Sequence, residues 1–209
     1  MPIRYDDIKH RLQPPLDCAE IKDLRGRYFY NRLIVNFENT DFTGCVLYHC
    51  WPSGFRHALE YNPAESKDEV TLEGADLQEA ALEEANLQGA YLEGANLKHI
   101  ELNYADLQGA NLQGANLQGA SIEGADFRGV SLRGANLRGA TCEWAKFMTA
   151  DLREADLRGA IIERADLQGA DLRKADLEGA IYNSKTVLPD SMTQEQRDSM
   201  TYIEDDYWD

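Results

Sequence analysis

Cys45, His49, Cys50 and His57 are the residues whose types and closeness first suggest chemistry, because thiolates and imidazoles are zinc ligands. Their spacing matches no standard finger, and three of the four fall where a patterned stretch gives way to an unpatterned one, so no metal site is read from them. No glycine-rich phosphate loop and no nucleophile elbow occurs in the chain. Cys142 replaces a leucine of a regular pattern and reads as a small buried hydrophobe. Four cysteines among 209 residues do not make a disulfide framework and suit a reducing compartment. A different set of residues remains, carboxylates with large aromatics among them: Glu83, Glu84, Glu101, Tyr104, Glu123, Glu143, Trp144 and Glu163. Their chemistry is recognition rather than catalysis, and whether they act together depends on the element that carries them.

That element is a repeat. From Val70 to Ser184 the chain is one five-residue unit, A-(D/N)-L-x-G, repeated 23 times without a slip. The first position is Ala except at Val70, Ile100 and Val130, and the third is Leu except at Ile122, Phe127, Cys142, Phe147, Ile162 and Tyr182. A period of five lets no apolar stripe form on a helix, and on a strand it flips the apolar face at every unit. Collagen needs glycine every third residue, and disordered chains lack a large apolar residue at a fixed position. Within one unit Ala and Leu are two apart, so in extended backbone they point the same way; the chain then turns at the fifth position, where 14 of the 16 glycines sit, counting Gly44 upstream in the same phase. One unit is therefore one side of a coil, and coils stack through backbone hydrogen bonds about 4.8 Å apart.

These residues closely resemble the pentapeptide repeat family. The resemblance covers 115 of the 209 residues and implies an all-β fold, a right-handed quadrilateral β-helix with four units per turn. Nearly six turns then make a rod of about 28 Å. Leu72, Leu77, Leu97, Leu117, Phe127, Leu132, Phe147, Leu157 and Leu177 are expected in its core, with the phenyl rings of Phe127 and Phe147 stacked inside. The expected organisation is an N-terminal capping segment at 1–34, first pentapeptide-like coils at 35–49, a loop or degenerate turn at 50–69, the β-helix at 70–184, and a C-terminal helix cap with an acidic tail at 185–209. A short helix is expected at 5–13, stopped by Pro14 and Pro15, and another after Thr193, which forms a capping box with Gln196. Met192, Met200, Ile203 and Trp208 are expected to cover the last coil.

Four units per turn place residues 20 apart in columns, which gathers the eight recognition candidates on one face. Its outward column is Glu83, Asn103, Glu123, Glu143, Glu163 and Asn183. Carboxylates about 4.8 Å apart repel by roughly 1 kcal/mol in water, so stability does not account for them. Tyr104 and Trp144 face outward beside them, and aromatic anchors in a charged rim are an interface composition. On another face Arg133, Arg153 and Arg173 stack, with Arg138 and Arg158 beside them, and pairing with Asp151, Asp156 and Asp171 is expected.

The net charge of −16 argues against a surface for phosphate, whether nucleic acid or membrane. No apolar run approaches the roughly 20 residues of a spanning helix, and the first residues lack the layout of a secretory signal, so a cytoplasmic protein is expected. The charge is uneven: −8 over residues 70–124, −1 over 125–184 and −5 over 185–209. The reading that follows is a non-enzymatic interaction scaffold, a rigid monomeric rod without cofactor or metal that presents one face, or its 50–69 loop, to a protein partner. The family resemblance implies an alternative, since some members resemble DNA in shape and charge and protect type II topoisomerases. The fading acidity beyond residue 124 counts against it.

Overall fold

A computed structural model of the chain describes residues 72, 74–85 and 87–205, together with the backbone of five short strands between residues 13 and 52. In the repeat, each unit closes on itself and then onto the next coil. The unit around Leu132 shows how: Ala135 N donates to Leu132 O (3.0 Å) to close the turn, while Leu132 N donates to Asp151 O (2.8 Å) and Asp151 N to Val130 O (2.9 Å) in the neighbouring coil. Parallel bridges 20 residues apart run from Asp76↔Asn96 to Ile161↔Ile181, so a turn is four units.

The sequence rule at each position has a physical cause. Alanine at the first position and a large apolar residue at the third fill the interior, and Leu72, Leu77, Leu97, Leu117, Leu132, Leu157 and Leu177 are all buried there. Burial of each such side chain is worth about 1.5–3 kcal/mol. Phe127 and Phe147 lie within the same core, ring centroids 5.2 Å apart and tilted by 31°. Asp or Asn at the second position accepts from the N–H two residues on, as Asp151 Oδ1 does from Arg153 N (3.2 Å) and Asn136 Oδ1 from Arg138 N (3.1 Å). The amides also run along the axis, Asn136 Nδ2 donating to Asn116 Oδ1 at 3.0 Å. Glycine dominates the fifth position because that corner is left-handed: Gly134, for example, has φ +67°.

Near the N-terminus, β1 (Gln13–Asp17), β3 (Arg32–Val35) and β5 (Trp51–Pro52) form one parallel sheet, and β2 (Tyr28–Tyr30) pairs in parallel with β4 (Val46–Tyr48). The partners are 18 residues apart in β2–β4 and β3–β5, shorter than the 20 of the repeat. Gln13, the last residue of the expected N-terminal helix, begins β1; the rest of that segment lies outside the described residues, as do the 50–69 loop beyond β5, the side chains of Cys45, His49, Cys50 and His57, and Trp208.

After Asn183 the repeat slips by one residue, and Asp166 bridges Val187. The Thr186 hydroxyl bridges the slip by donating to Ile162 O (3.0 Å). Helix α1 (Gln194–Ser199) follows, opened by a capping box in which the Thr193 side chain accepts from Gln196 N and Gln196 reaches back to Thr193 N. Gln196 Nε2 also donates to Leu172 O (2.7 Å), tying α1 to the last coils, and Met192 and Met200 join the core cluster. The chain then returns as β7 (Thr201–Tyr202), parallel to β6 (Ile181–Tyr182), with Tyr202 edge-on to Tyr182 at 5.5 Å.

Candidate protein-binding face

The bridges Ala81↔Glu101, Glu101↔Ser121, Ser121↔Thr141, Thr141↔Ile161 and Ile161↔Ile181 define one side of the rod, and it carries all eight recognition candidates. Glu83, Glu84 and Glu101 are exposed, Tyr104 and Trp144 are 61% and 52% exposed, and Glu123, Glu143 and Glu163 are half-buried. Asn183 departs from the outward column expected for it. It is 2% exposed, because the slip folds the next residues over it: Asn183 Oδ1 accepts from Lys185 N and Arg164 N, both at 3.2 Å, and Nδ2 donates to Glu163 Oε2 at 3.2 Å.

This side breaks the repeat rule in two columns at once. At the second position it has Ala81, Glu101, Ser121, Thr141, Ile161 and Ile181, never Asp or Asn, so the usual side-chain brace on the backbone is missing. Asn103, from the fourth position, substitutes in part, its Oδ1 accepting from Ser121 Oγ (2.7 Å) and Glu123 N (3.0 Å). At the fifth position it has Glu84 (φ 56°), Tyr104 (59°), Trp144 (60°) and Arg164 (57°), with glycine only at Gly124. Nine described corners of this left-handed kind hold a residue other than glycine, and four of them are on this one side of four. Each costs about 1–2 kcal/mol against glycine's freedom there, and stored backbone strain gathers at functional sites. Sequence reasoning placed Glu84, Tyr104 and Trp144 on this face but did not weigh the backbone strain of their corner, although the absent glycines at 84, 104, 144 and 164 are legible in the repeat.

The corner side chains lie along the rod. The Tyr104 ring covers Gly124, where an added Cβ would meet its Cδ1 and Cε1 at 2.6 Å. Its hydroxyl donates to Glu123 Oε1 at 3.0 Å, a bond that lifts the phenol above its ordinary range. One coil further, the Arg164 guanidinium carbon is 4.8 Å from the Trp144 ring centroid. Burial, and then the neighbouring Glu163 and Glu123, hold the Glu143 carboxyl above the usual carboxylate range, with Arg164 pulling the other way.

On the other sides, beyond residue 125, arginines pair with aspartates. Arg153 pairs with Asp151 (2.6 Å), Arg158 with Asp156 (2.5 Å) and Arg173 with Asp171 (2.6 Å), and Arg128 with Asp126 (2.6 Å). Three hydrogen bonds from the Arg173 side chain bring the Asp171 carboxyl down to about 2. None of the six glutamates of the candidate face has an ion pair among the described residues.

A cleft of about 490 Å³ lies between the last coil and α1, lined by Arg173, Lys174, Asp176, Thr193, Glu195 and Gln196 among others, and neither histidine nor cysteine lines it. Burial pushes the Cys142 thiol up to about 12, which makes it inert as a nucleophile. Among the described residues no group of His, Cys, Asp and Glu is arranged to hold a metal, and no helix is long and apolar enough to cross a membrane.

A four-sided coil with a filled interior and its chemistry on the outside defines a repeat β-helix, a class built to present surfaces. The chain belongs to the pentapeptide repeat family: the family's profile, described as pentapeptide repeats, matches in eight copies over residues 68–103, 90–129, 115–153 and 150–181. The family's fold is the right-handed quadrilateral β-helix. Among solved structures, the chain is similar to alr5209, a pentapeptide repeat protein from Nostoc PCC 7120, with 37% identity over 49% of this chain and 84% of that one and a TM-score of 0.47. It is also similar to a trypsin-treated variant of QnrB1, a plasmid-mediated fluoroquinolone resistance protein, with 15% identity over 94% of this chain and 92% of that one and a TM-score of 0.65. A second trypsin-treated QnrB1 variant aligns at 16% identity over 93% and 92%, with a TM-score of 0.57. At these identities the likeness to QnrB1 is one of fold. No curated protein matches the chain.

Proposed function

We propose that the protein is a non-enzymatic interaction scaffold, a rigid monomeric rod that presents the Glu83–Trp144–Glu163 side to a protein partner. One observation carries this reading: on that side alone, strained corner positions are given to Tyr104 and Trp144, both more than half exposed, next to a carboxylate column that no cation of the described residues pairs. Strain, exposed aromatic area and a run of like charge all work against the isolated rod, and an interface is where all three become useful. The helix α1 and the β7 return serve as the cover of the last coil in this reading. The test is affinity capture with the wild-type chain against Tyr104→Gly/Trp144→Gly and against Arg133→Gln/Arg153→Gln on another side. A partner lost only with the first pair supports the face; a partner retained by it, or lost equally with both, refutes it.

The acidity of residues 70–124 supports a second reading, the DNA-like rod that the family resemblance implies, directed at a type II topoisomerase. It is the weaker one, since arginine–aspartate pairs neutralise the surface beyond residue 125. It requires an effect on DNA gyrase supercoiling at micromolar protein, and no effect ends it.

A further inference from the structure

The chain itself illustrates what its aromatic face can hold. Over Trp144 lies a guanidinium, that of Arg164, with its carbon 4.8 Å from the ring centroid and its charge acting on Glu143. A planar cation satisfies such a corner twice, because its face is drawn to the ring while its edge donates to carboxylates. An ammonium is a compact and more strongly hydrated charge and gains less from the ring. Tyr104 is 61% exposed and Trp144 52%, so Trp144 keeps open surface beyond its contact with Arg164, and Tyr104 beyond its seat on Gly124.

We propose that this face docks an arginine-bearing basic segment of a protein partner, guanidinium groups stacking on Tyr104 and Trp144 while pairing with Glu101, Glu123, Glu143 and Glu163. The proposal rests on the reading of this side as a partner-binding face and names the partner's chemistry. Charge complementarity supports it: the side carries six glutamates and a single arginine, in a chain whose net charge is −16. The ladder repeats about every 4.8 Å, so consecutive rungs offer alternating ring and carboxylate contacts to successive basic side chains. Long-range attraction would bring any basic segment to the rod, but only the rings distinguish arginine from lysine.

The experiment is fluorescence anisotropy of labelled oligo-arginine and oligo-lysine peptides of equal length, titrated with the full chain at about 150 mM salt. Two stacked guanidiniums predict an arginine preference of about fivefold or more. In Tyr104→Gly/Trp144→Gly the preference should fall to about one, while Glu123→Gln/Glu143→Gln should weaken both peptides together. Tyr104→Leu/Trp144→Leu serves as a second ring-free variant, with thermal melting to show that each chain is folded. Equal affinity for the two peptides, or a preference that survives removal of the rings, overturns the proposal. If the capture experiment loses its partner with the rings but the peptides show no preference, the face reading stands and the arginine inference falls. If the preference is present and no partner is lost, the face reading falls instead.

Discussion

Arg164 stacks its guanidinium on the Trp144 ring at 4.8 Å from the centroid, and both residues occupy left-handed corners one coil apart, at φ 57° and 60°. Ordinary coils of this rod put glycine at such corners, so the pair gives up backbone ease for a surface contact worth only about 0.5–1 kcal/mol when exposed. Folding alone does not favour that exchange. It makes sense where the ring and the cation are wanted at the surface.

Returning the corner to glycine therefore tests whether the aromatics serve the rod. Trp144→Gly relieves about 1–2 kcal/mol of left-handed strain and loses the stacking contact, with glycine's added flexibility in the unfolded chain costing about 0.5–1 kcal/mol. Tyr104→Gly trades its strain against the hydroxyl bond to Glu123 in the same way. Each variant should melt within a few degrees of the wild type, roughly 2–4 °C per kcal/mol at this chain length. A drop of about 10 °C or more in differential scanning calorimetry would show that the rings hold the rod together.

Gly124 and Gly134 separate backbone strain from side-chain contact. Both have positive φ, 63° and 67°, yet an added Cβ at Gly134 meets nothing within 4 Å, whereas at Gly124 it meets the Tyr104 ring at 2.6 Å. Gly134→Ala should cost about 1–2 kcal/mol, and Gly124→Ala should cost more because Tyr104 must swing off its seat and release Glu123. In a Tyr104→Gly background the two costs should become equal by urea denaturation. An excess at Gly124 that persists there would place its origin outside the ring.

The interior gives the largest effect. Leu132 is fully buried among core side chains, and Leu132→Lys both removes about 1.5–3 kcal/mol of burial and strands an ammonium in a dry interior. Cooperative melting should be lost or fall by well over 10 °C, and a native melt would contradict the inward placement of the third position.

The coil geometry was legible because a five-residue period with fixed apolar positions admits few backbones, while four units per turn, and with them the bridge spacing of 20, were what the family resemblance implied. The face was legible as a column once residues were stacked by twenties, and Tyr104 and Trp144 stand on it with Glu123 and Glu143. Two things were not. Asn183 is covered because one extra residue slips the last coil, and a five-residue count cannot foresee how Thr186 and Lys185 fold over it. The seat of Tyr104 over Gly124 depends on a side-chain direction that periodicity does not encode.

The two kinds of carboxylate on the rod should respond to acid in opposite directions. Asp171 is held down to about 2, first by the hydrogen bond from Arg173, so its pairing stabilises the fold above the ordinary carboxylate range and is lost as pH falls toward 2. Glu143 is held above its ordinary range by burial and by Glu163 and Glu123, so its ionised form opposes folding at neutral pH, and protonation on acidification removes that penalty. Glu143→Gln should thus raise stability at pH 7, by no more than about 1 kcal/mol at a half-buried site on the surface, and the gain should shrink as pH falls through the carboxylate range. Asp171→Asn should lower stability at pH 7, with the difference from wild type vanishing near pH 2. Urea denaturation of the three chains across pH 2–8 reads both trends, and a Glu143→Gln variant less stable than wild type at pH 7 would mean that the ladder stabilises the rod rather than waiting for a partner's charge.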